Sequence, residues 1–523
     1  MSTHKSIAKS ASVIGFATLC SRILGFARDI VIARLFGVYV YAQAFVIAFR
    51  IPNLFRDLVG EGASNAALVP VFSEYSVRHS KEDFWELANV VLNLLLVIIC
   101  SITILGIIFS PLIVRLIAPG FIANPEKLAA TIKLNRIIFP YILLISLAAY
   151  STGLLNSLKH FSVPAFAPCL LNISIIICAL SFGEGITGLA SGVLIGGILQ
   201  LLIQIPVLYK KGFRLNLFKR FKHPAAGIIG KLMLPRLLSS CIYQLNNFVD
   251  TIFGSFAFIV GEGGVAVLYF AYRLVQFPLG IFSNALTQAI LPEFSVQALE
   301  KNHEQLKTTL SFGLRAIFFV MLPASLAFML LAHPIIKTIF EGGKFDAYST
   351  DMTARVLFFY SIGLTAYAST KILQACFFAL KDTMTPTKIS ALALGLNVVL
   401  NTVFMFPLKI SGIALATSIS GIISCFILLF VLAKRLAPLE TREIAASFLR
   451  ILAASLGMSL VCYFLNKNIC FGNSIIEKIL YLLVLISSGL ISYIAFCFIF
   501  QVKEFHELRQ WLFKRETIGS VPF

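Results

Sequence analysis

Five arginines fall inside stretches of this chain that are otherwise apolar: Arg22, Arg28, Arg50, Arg56 and Arg273. On insertion scales each costs about 2.5–3.5 kcal/mol at the centre of a membrane helix, so five unpaired ones would cost on the order of 12–18 kcal/mol. Charges kept at that cost face a protein interior or a water-filled cavity. A guanidinium is a planar fork whose parallel N–H groups fit a phosphate or carboxylate bidentately. The arginines therefore imply a site for an anionic, phosphate-bearing substrate, with Arg22, Arg28 and Arg273 as its cations. Arg56 stands beside Asp57 and near Glu61, so a structural ion pair competes with substrate binding there. Arg34, near the end of its stretch, is explained by its stem reaching the membrane surface.

Spacing adds detail. Arg22 and Asp29 are seven residues apart and share one helix face, two turns apart. Arg50 and Arg56 diverge by about 120° around a helix, and Pro52 between them is able to bend it. Phe277-Pro278-Leu279-Gly280 allows a break just after Arg273. Three carboxylates are candidates for coupling to a cation, sodium or proton: Asp29, Asp250 among Gln244, Asn246, Asn247 and Thr251, and Asp382 in Lys381-Asp382-Thr383-Met384-Thr385-Pro386. For Asp250 the competing reading is structural hydrogen bonding. For Asp382 it is capping of the next helix. No other cofactor is implied.

The elements that carry these residues follow from composition. The chain has 523 residues, is 58% hydrophobic and only 13% charged, with mean hydropathy +0.90. Soluble domains carry about 25% charged residues, so a water-facing surface is excluded. Apolar runs of roughly 20 residues, enough to span a bilayer as a helix, recur along the whole length. The alternation of a barrel is absent, which leaves helices. The expected fold is an all-α polytopic membrane protein with about fourteen spans, from 10–36 and 40–60 at the amino end to 446–465 and 477–501 at the carboxyl end. With the amino terminus cytoplasmic, the connections on that side hold 21 Lys and Arg, and the other side only Lys127, Lys337, Lys344, Lys409 and Lys467. That asymmetry places both termini in the cytoplasm. It also absorbs much of the net charge of +19, and the basic run Lys210 to Lys222 sits between two spans, so no nucleic-acid partner is expected. Ten scattered cysteines without a CxxC pair read as small apolar filler, and the histidines show no metal-ligand spacing.

The chain also repeats itself. Shifted by 222 residues, Ala67-Leu-Val-Pro70-Val-Phe72-Ser73 meets Ala289-Ile-Leu-Pro292-Glu-Phe294-Ser295, Leu158-Lys159 meets Leu380-Lys381, and Pro164 meets Pro386. The organisation this implies is one lobe of six spans over 1–222, a second over 223–444, and two further spans with a tail over 445–523. Six is even, so both lobes share one orientation, as in transporters built from parallel repeats.

Ser21-Arg22-Ile-Leu-Gly25-Phe-Ala-Arg28-Asp29, Pro52-Asn53-Leu-Phe-Arg56, Glu61-Gly62-Ala63, Ala118-Pro119-Gly120-Phe121, Phe139-Pro140-Tyr141, Pro164-Ala165-Phe-Ala-Pro168 and Arg273-Leu-Val-Gln-Phe277-Pro278 resemble the MurJ (MviN) family of the MOP exporter superfamily. The resemblance covers essentially the whole chain. It implies a 14-helix fold with two six-helix lobes, residence in the bacterial inner membrane, and flipping of lipid II from the cytoplasmic to the periplasmic leaflet. It further implies that Arg22, Arg28 and Arg273 face a central cavity, that Arg56 is a functional arginine, and that the last two spans form a groove for the polyprenyl tail. Lipid II and membrane lipids are the implied partners. Gln43, Tyr272 and Gln276 stand where relatives often carry acids, and Phe378 where some have Asn, which leaves Asp29, Asp250 and Asp382 as the carboxylates for coupling. A flippase for another polyprenyl-diphosphate-linked glycan fits the charge equally well. A drug antiporter of the superfamily fits it poorly, since arginines repel cationic drugs. An enzyme acting on polyprenyl phosphates is disfavoured by the lack of an acidic metal motif.

Overall fold

The computed structural model describes residues 3–56, 68–183, 185–436, 441–469 and 474–513, of which 3–11, 232, 234–243, 246, 247, 441, 508 and 510–513 by their backbone alone. Asp57 and Glu61, expected near Arg56, lie outside the described residues. So does the Glu61-Gly62-Ala63 motif.

Helices follow one another throughout. The first run is α1 (Thr3–Phe36), α2 (Val40–Phe55), α3 (Val69–Arg78), α4 (Lys81–Ile108), α5 (Ser110–Ile117), α6 (Pro125–Ile138), α7 (Tyr141–Ser157), α8 (Ser162–Phe182), α9 (Ile186–Leu202), α10 (Ile205–Lys211), α11 (Pro224–Gly254) and α12 (Ala257–Val260). Then come α13 (Gly264–Pro278), α14 (Asn284–Leu299), α15 (His303–Leu330), α16 (Ala332–Ile339), α17 (Ala347–Ile362), α18 (Leu364–Ala379), α19 (Met384–Leu408), α20 (Ile410–Leu436), α21 (Thr441–Asn468), α22 (Ile475–Ile499) and α23 (Lys503–Phe513). Among the described residues ten helical stretches are long and apolar enough to cross a membrane, and α17 with α18, bent by 42°, makes an eleventh. The sequence counts three more. Helix α1 carries Arg22, Arg28, Asp29 and Arg34, α2 has only 16 residues, and part of α11 is described by backbone alone. The architecture is consistent with fourteen spans.

The 222-residue shift carries helix boundaries onto one another. Lys81–Ile108 lands on His303–Leu330, Ser110–Ile117 on Ala332–Ile339, and the start of α8 on the start of α19. The caps obey the same shift. Ser80 accepts the Asp83 N–H at 3.1 Å to start α4, and Asn302 accepts the Gln305 N–H at 3.2 Å to start α15. At the other end, Lys159 and Lys381 both adopt positive φ, at 57° and 58°, where non-glycine residues are uncommon. Each closes a helix by the same pair of bonds, His160 N–H to Leu155 and Lys159 N–H to Asn156, Asp382 N–H to Phe377 and Lys381 N–H to Phe378.

Packing divides the described chain into two compact units, residues 1–266 with 342–349, and 267–341 with 350–523. This partition follows contacts, whereas a repeat follows sequence, and α11 is packed in the first unit. There, Gly188, Gly192 and Gly196 recur every fourth residue on α9. A Cβ at Gly192 or Gly196 would come within 2.7–2.8 Å of the Cα atoms of Ile175 and Leu171, so glycine is what lets α8 and α9 pack backbone to backbone. In α20 of the second unit the small residues Ala414 and Ser418 take the shifted positions of Gly192 and Gly196. Two buried asparagines on α4 order the basic connection that follows α10. Asn89 bonds the backbone of Arg214 and Asn216, and Asn93 that of Asn216, Phe218 and Arg220.

Candidate functional site

Helix α1 delivers the most buried arginine of the candidate set. Arg28 is 4% exposed and Asp29 fully buried. Arg28 donates from Nε at 3.0 Å and from a terminal nitrogen at 2.7 Å to one carboxylate oxygen, Oδ1 of Asp29. Its other terminal nitrogen donates to Asn172 Oδ1 on α8 at 3.1 Å. The guanidinium carbon lies 5.9 Å from the centroid of the Phe49 ring, within cation–π range. Asn172 is itself held by donating to the Ser21 and Pro168 carbonyls. The spacing had pointed from Asp29 to Arg22, seven residues away. The carboxylate is taken instead by the arginine next to it, and half-buried Arg22 makes no hydrogen bond or ion pair among the described residues. Thus α1 offers one guanidinium whose fork already grips an oxyanion and one that grips none.

Arg50 on α2 is half-buried, with its guanidinium 6.0 Å from the Phe248 ring of α11. Helix α2 runs through Pro52, and the half-buried Arg56 closes it, its N–H bonding the Asn53 and Pro52 carbonyls. Gln43 is 1% exposed, and its Nε2 finds no hydrogen-bond partner among the described residues. On α11, Asp250 is 8% exposed beside buried Thr251, while the side chains of Asn246 and Asn247, expected to share its site, lie outside the described residues.

In the second unit Arg273 is half-buried on α13, after Tyr272, whose ring packs against Tyr360. The break expected at Phe277–Gly280 is not a break. A π-helical turn, Leu279–Ser283, joins α13 to α14, and 264–299 forms one continuous span. Such a wide turn keeps the backbone bonded while rotating the residues beyond it, and these turns are frequent at functional sites. Ser283 donates to the Ala368 carbonyl of α18 at 3.2 Å, and next to it Asn284 Oδ1 accepts from Lys371 Nζ at 2.7 Å. Lys371 lies outside the arginine pattern, though a lysine amid the apolar residues of α18 is the same kind of signal. Asn172 carried no sequence signal, since a lone Asn in a span is common.

Asp382 is a helix cap. Oδ1 accepts the Thr385 N–H at 3.0 Å, and Oδ2 accepts the Thr385 hydroxyl at 2.8 Å and Arg435 at 2.6 Å. The Thr385 bonds first, then the Arg435 guanidinium, hold its pKa below the usual carboxylate value. Of the two readings of Asp382, the structure displays capping.

Elsewhere in the first unit, short connections interlock. Gly37, at φ 62°, lies where a Cβ would stand 2.5 Å from the Lys344 carbonyl oxygen. The next turn residue, Tyr39, donates to Asp346 Oδ2 at 2.6 Å, and Asp346 Oδ1 accepts the N–H and hydroxyl of Ser349 to start α17. The bond to Asp346, with burial and the carboxylate charge, pushes Tyr39 up to about 12. Burial raises Asp346, but bonds from Tyr39 and Ser349 outweigh it and leave its pKa lowered. Lys127 of α6 is 1% exposed and ion-paired with the half-exposed Glu262.

Residues 32–482 match the family described as lipid II flippase MurJ. The chain belongs to that family. A probable lipid II flippase MurJ of Buchnera aphidicola subsp. Acyrthosiphon pisum is 38% identical over 426 residues, covering 79% of this chain and 81% of the relative. The lipid II flippase MurJ of Burkholderia cenocepacia is 34% identical over 432 residues, 81% and 83% of the two chains. Among solved structures, a lipid II flippase MurJ in an inward closed conformation superposes with a TM-score of 0.79 at 28% identity, covering 95% of this chain and 99% of the other. An inward-facing multidrug resistance MATE family transporter of the MOP superfamily gives 0.68 at 18% identity, over 80% and 96%, and so shares the fold. Family and helices together make this a multi-pass membrane protein of a transporter family.

Proposed function

We propose that the chain flips lipid II, a polyprenyl-diphosphate-linked muropeptide, from the cytoplasmic to the periplasmic leaflet of the bacterial inner membrane, with both termini in the cytoplasm. Membership of a family whose named relatives are lipid II flippases supports this. The observation that carries the chemistry is Arg28, a buried guanidinium whose Nε and terminal N–H both point at one carboxylate oxygen. That is the fork a phosphate takes. In this reading a diphosphate exchanges with Asp29 at Arg28, while Arg22, Arg56 and Arg273 supply further positive charge. The exchange gives the two partners of Arg28 different affinities in different states, which any driven cycle needs. The protein moves its substrate and leaves its bonds intact.

Coupling falls to Asp250. Asp250 is a buried carboxylate on a membrane helix, the usual place for a proton or sodium ion to act, whereas Asp382 is engaged in capping α19.

Complementation of cells depleted of their lipid II flippase tests the function. The wild-type chain should restore growth, and Arg28→Ala or Arg273→Ala should not, at matched membrane levels. Each removes a charge-assisted contact of about 1.5–3 kcal/mol. Arg28→Lys should restore growth partly, because a point charge lacks the fork. Full growth with both alanine variants sinks the anion-site reading.

A further inference from the structure

The second unit contains a charged cavity of about 240 Å³ that none of the arginines above touches. It lies where α21 begins and α22 gives way to α23. Its base is an ion-paired cluster. Arg315 of α15 lies 3.2 Å from Glu504 Oε1, 3.6 Å from Glu507 and 3.7 Å from Glu443. Ser447 donates to the same Glu504 Oε1 at 2.9 Å. Glu504 is 8% exposed, and its other oxygen, Oε2, is buried without a hydrogen-bond partner among the described residues. A buried carboxylate oxygen lacking a donor costs free energy and calls for a partner from outside the protein.

The rim has the opposite character. Arg442 makes no hydrogen bond or ion pair among the described residues. Arg450 gives one N–H to the Gln501 carbonyl at 3.4 Å, and Lys503 stands 3.8 Å from Glu443. Arg442, Ala446 and Arg450 recur every fourth residue on one face of α21, and the small Ala446 leaves the space between the guanidiniums open. Exposed Leu449 stands beside Arg450, exposed Leu456 and Leu460 continue along α21 away from the cavity, and Ile499 ends α22. One site thus presents cations at the rim, a hydrogen-bond acceptor at the base and an apolar wall beneath.

We propose that this cavity holds the headgroup of a bilayer glycerophospholipid. Its phosphate sits among Arg442, Arg450 and Lys503, a hydroxyl or ammonium hydrogen of its head donates to Glu504 Oε2, and its acyl chains lie along Leu449, Leu456 and Leu460. Ethanolamine and glycerol headgroups meet both demands. A choline headgroup meets only the first, having no N–H or O–H to give.

The test titrates the full chain in detergent micelles with phosphatidylglycerol, phosphatidylethanolamine, phosphatidylcholine, glycerol 3-phosphate and lipid II, reading bound lipid by intact mass spectrometry. Phosphatidylglycerol and phosphatidylethanolamine should bind about tenfold or more tighter than phosphatidylcholine, the effect of one hydrogen bond to a charged group. Arg442→Gln with Arg450→Gln should weaken phosphatidylglycerol at least about tenfold. Ala446→Trp, which fills the cavity and keeps every charge, should block it; if the double variant does not fold, this variant and the headgroup series on the wild type decide. Equal binding of phosphatidylcholine, or undiminished binding by either variant, overturns the proposal. Displacement by equimolar glycerol 3-phosphate would make the cavity a soluble-anion site, and preferential displacement by lipid II a substrate subsite. Either result also overturns it.

Discussion

Asp29→Asn tests the pair on α1 most directly. The substitution keeps the shape and one acceptor oxygen but removes the countercharge of a guanidinium that is 4% exposed. Breaking one side of a buried ion pair costs about 3–5 kcal/mol, and the surviving amide acceptor and Asn172 favour the lower end of that range. In units of this size 1 kcal/mol moves a thermal midpoint by roughly 2–4 °C, so a fall of roughly 6–12 °C is expected. Arg28→Gln should lose a similar amount, because it strands a fully buried carboxylate. The double variant carries neither charge and should be more stable than either single one, a coupling that a double-mutant cycle measures. Transport separates the two roles. Asp29→Asn frees the fork and should tighten binding of a diphosphate lipid while slowing its release, and the double variant should lose that gain. The assay is thermal unfolding in one detergent, alongside lipid II binding and flipping in liposomes. A midpoint shift under about 2 °C for Asp29→Asn, or additive single effects, would refute the reasoning.

Other expectations concern the remaining charges. Glu262→Gln should destabilise more than Lys127→Met, because the first leaves a buried ammonium unpaired and the second leaves a half-exposed carboxylate that water reaches; thermal midpoints in one detergent compare them. Tyr39→Phe should cost about 1 kcal/mol. That cost should stay constant from about pH 5 to 9, since Asp346, lowered, contributes above the ordinary Asp value near 3.9 and Tyr39, raised, contributes until pH climbs through about 12. Melting curves across that range showing a sloping difference would contradict it. In liposomes under sodium or proton gradients, Asp250→Asn should lose the gradient response of flipping and Asp382→Asn should keep it; the reverse result would move coupling to the α19 cap. A cysteine replacing Leu215, on a cysteine-free background, should resist an impermeant reagent added from outside, and strong labelling would invert the topology.

Much of the fold was legible because membrane helices announce themselves by apolar runs, and because prolines and lysines at one offset mark the same helix ends twice. Lys159 and Lys381 matched in sequence, and the structure shows the reason in their shared left-handed caps. Side-chain pairing was less legible. Neighbours on a helix do not face each other, so spacing rules join Arg22 to Asp29 and overlook Arg28 beside it. The long arginine stem bends back to its neighbour, and Asn172, 144 residues away, fixes the result. Pro278 suggested a break because it removes a donor; the wider π turn absorbs that loss without ending the helix. Lys127 counts in sequence only as a lysine of an outside connection, and its burial comes with Glu262, a partner 135 residues distant.

The shared register of the helices bears on the ancestry of the chain. Arg28, shifted by 222, falls on Asp250, and Asp29 falls on Thr251. A forebear assembled from two identical half-length copies would have carried the same residue at both places, two arginines or two aspartates. Opposite signs at matched positions become available only after the copies are fused and drift separately. The helix lengths remember the duplication and the charges do not. Two copies of residues 1–222 alone would therefore carry an arginine at each of these positions, each beside its own Asp29, and no carboxylate in the place of Asp250.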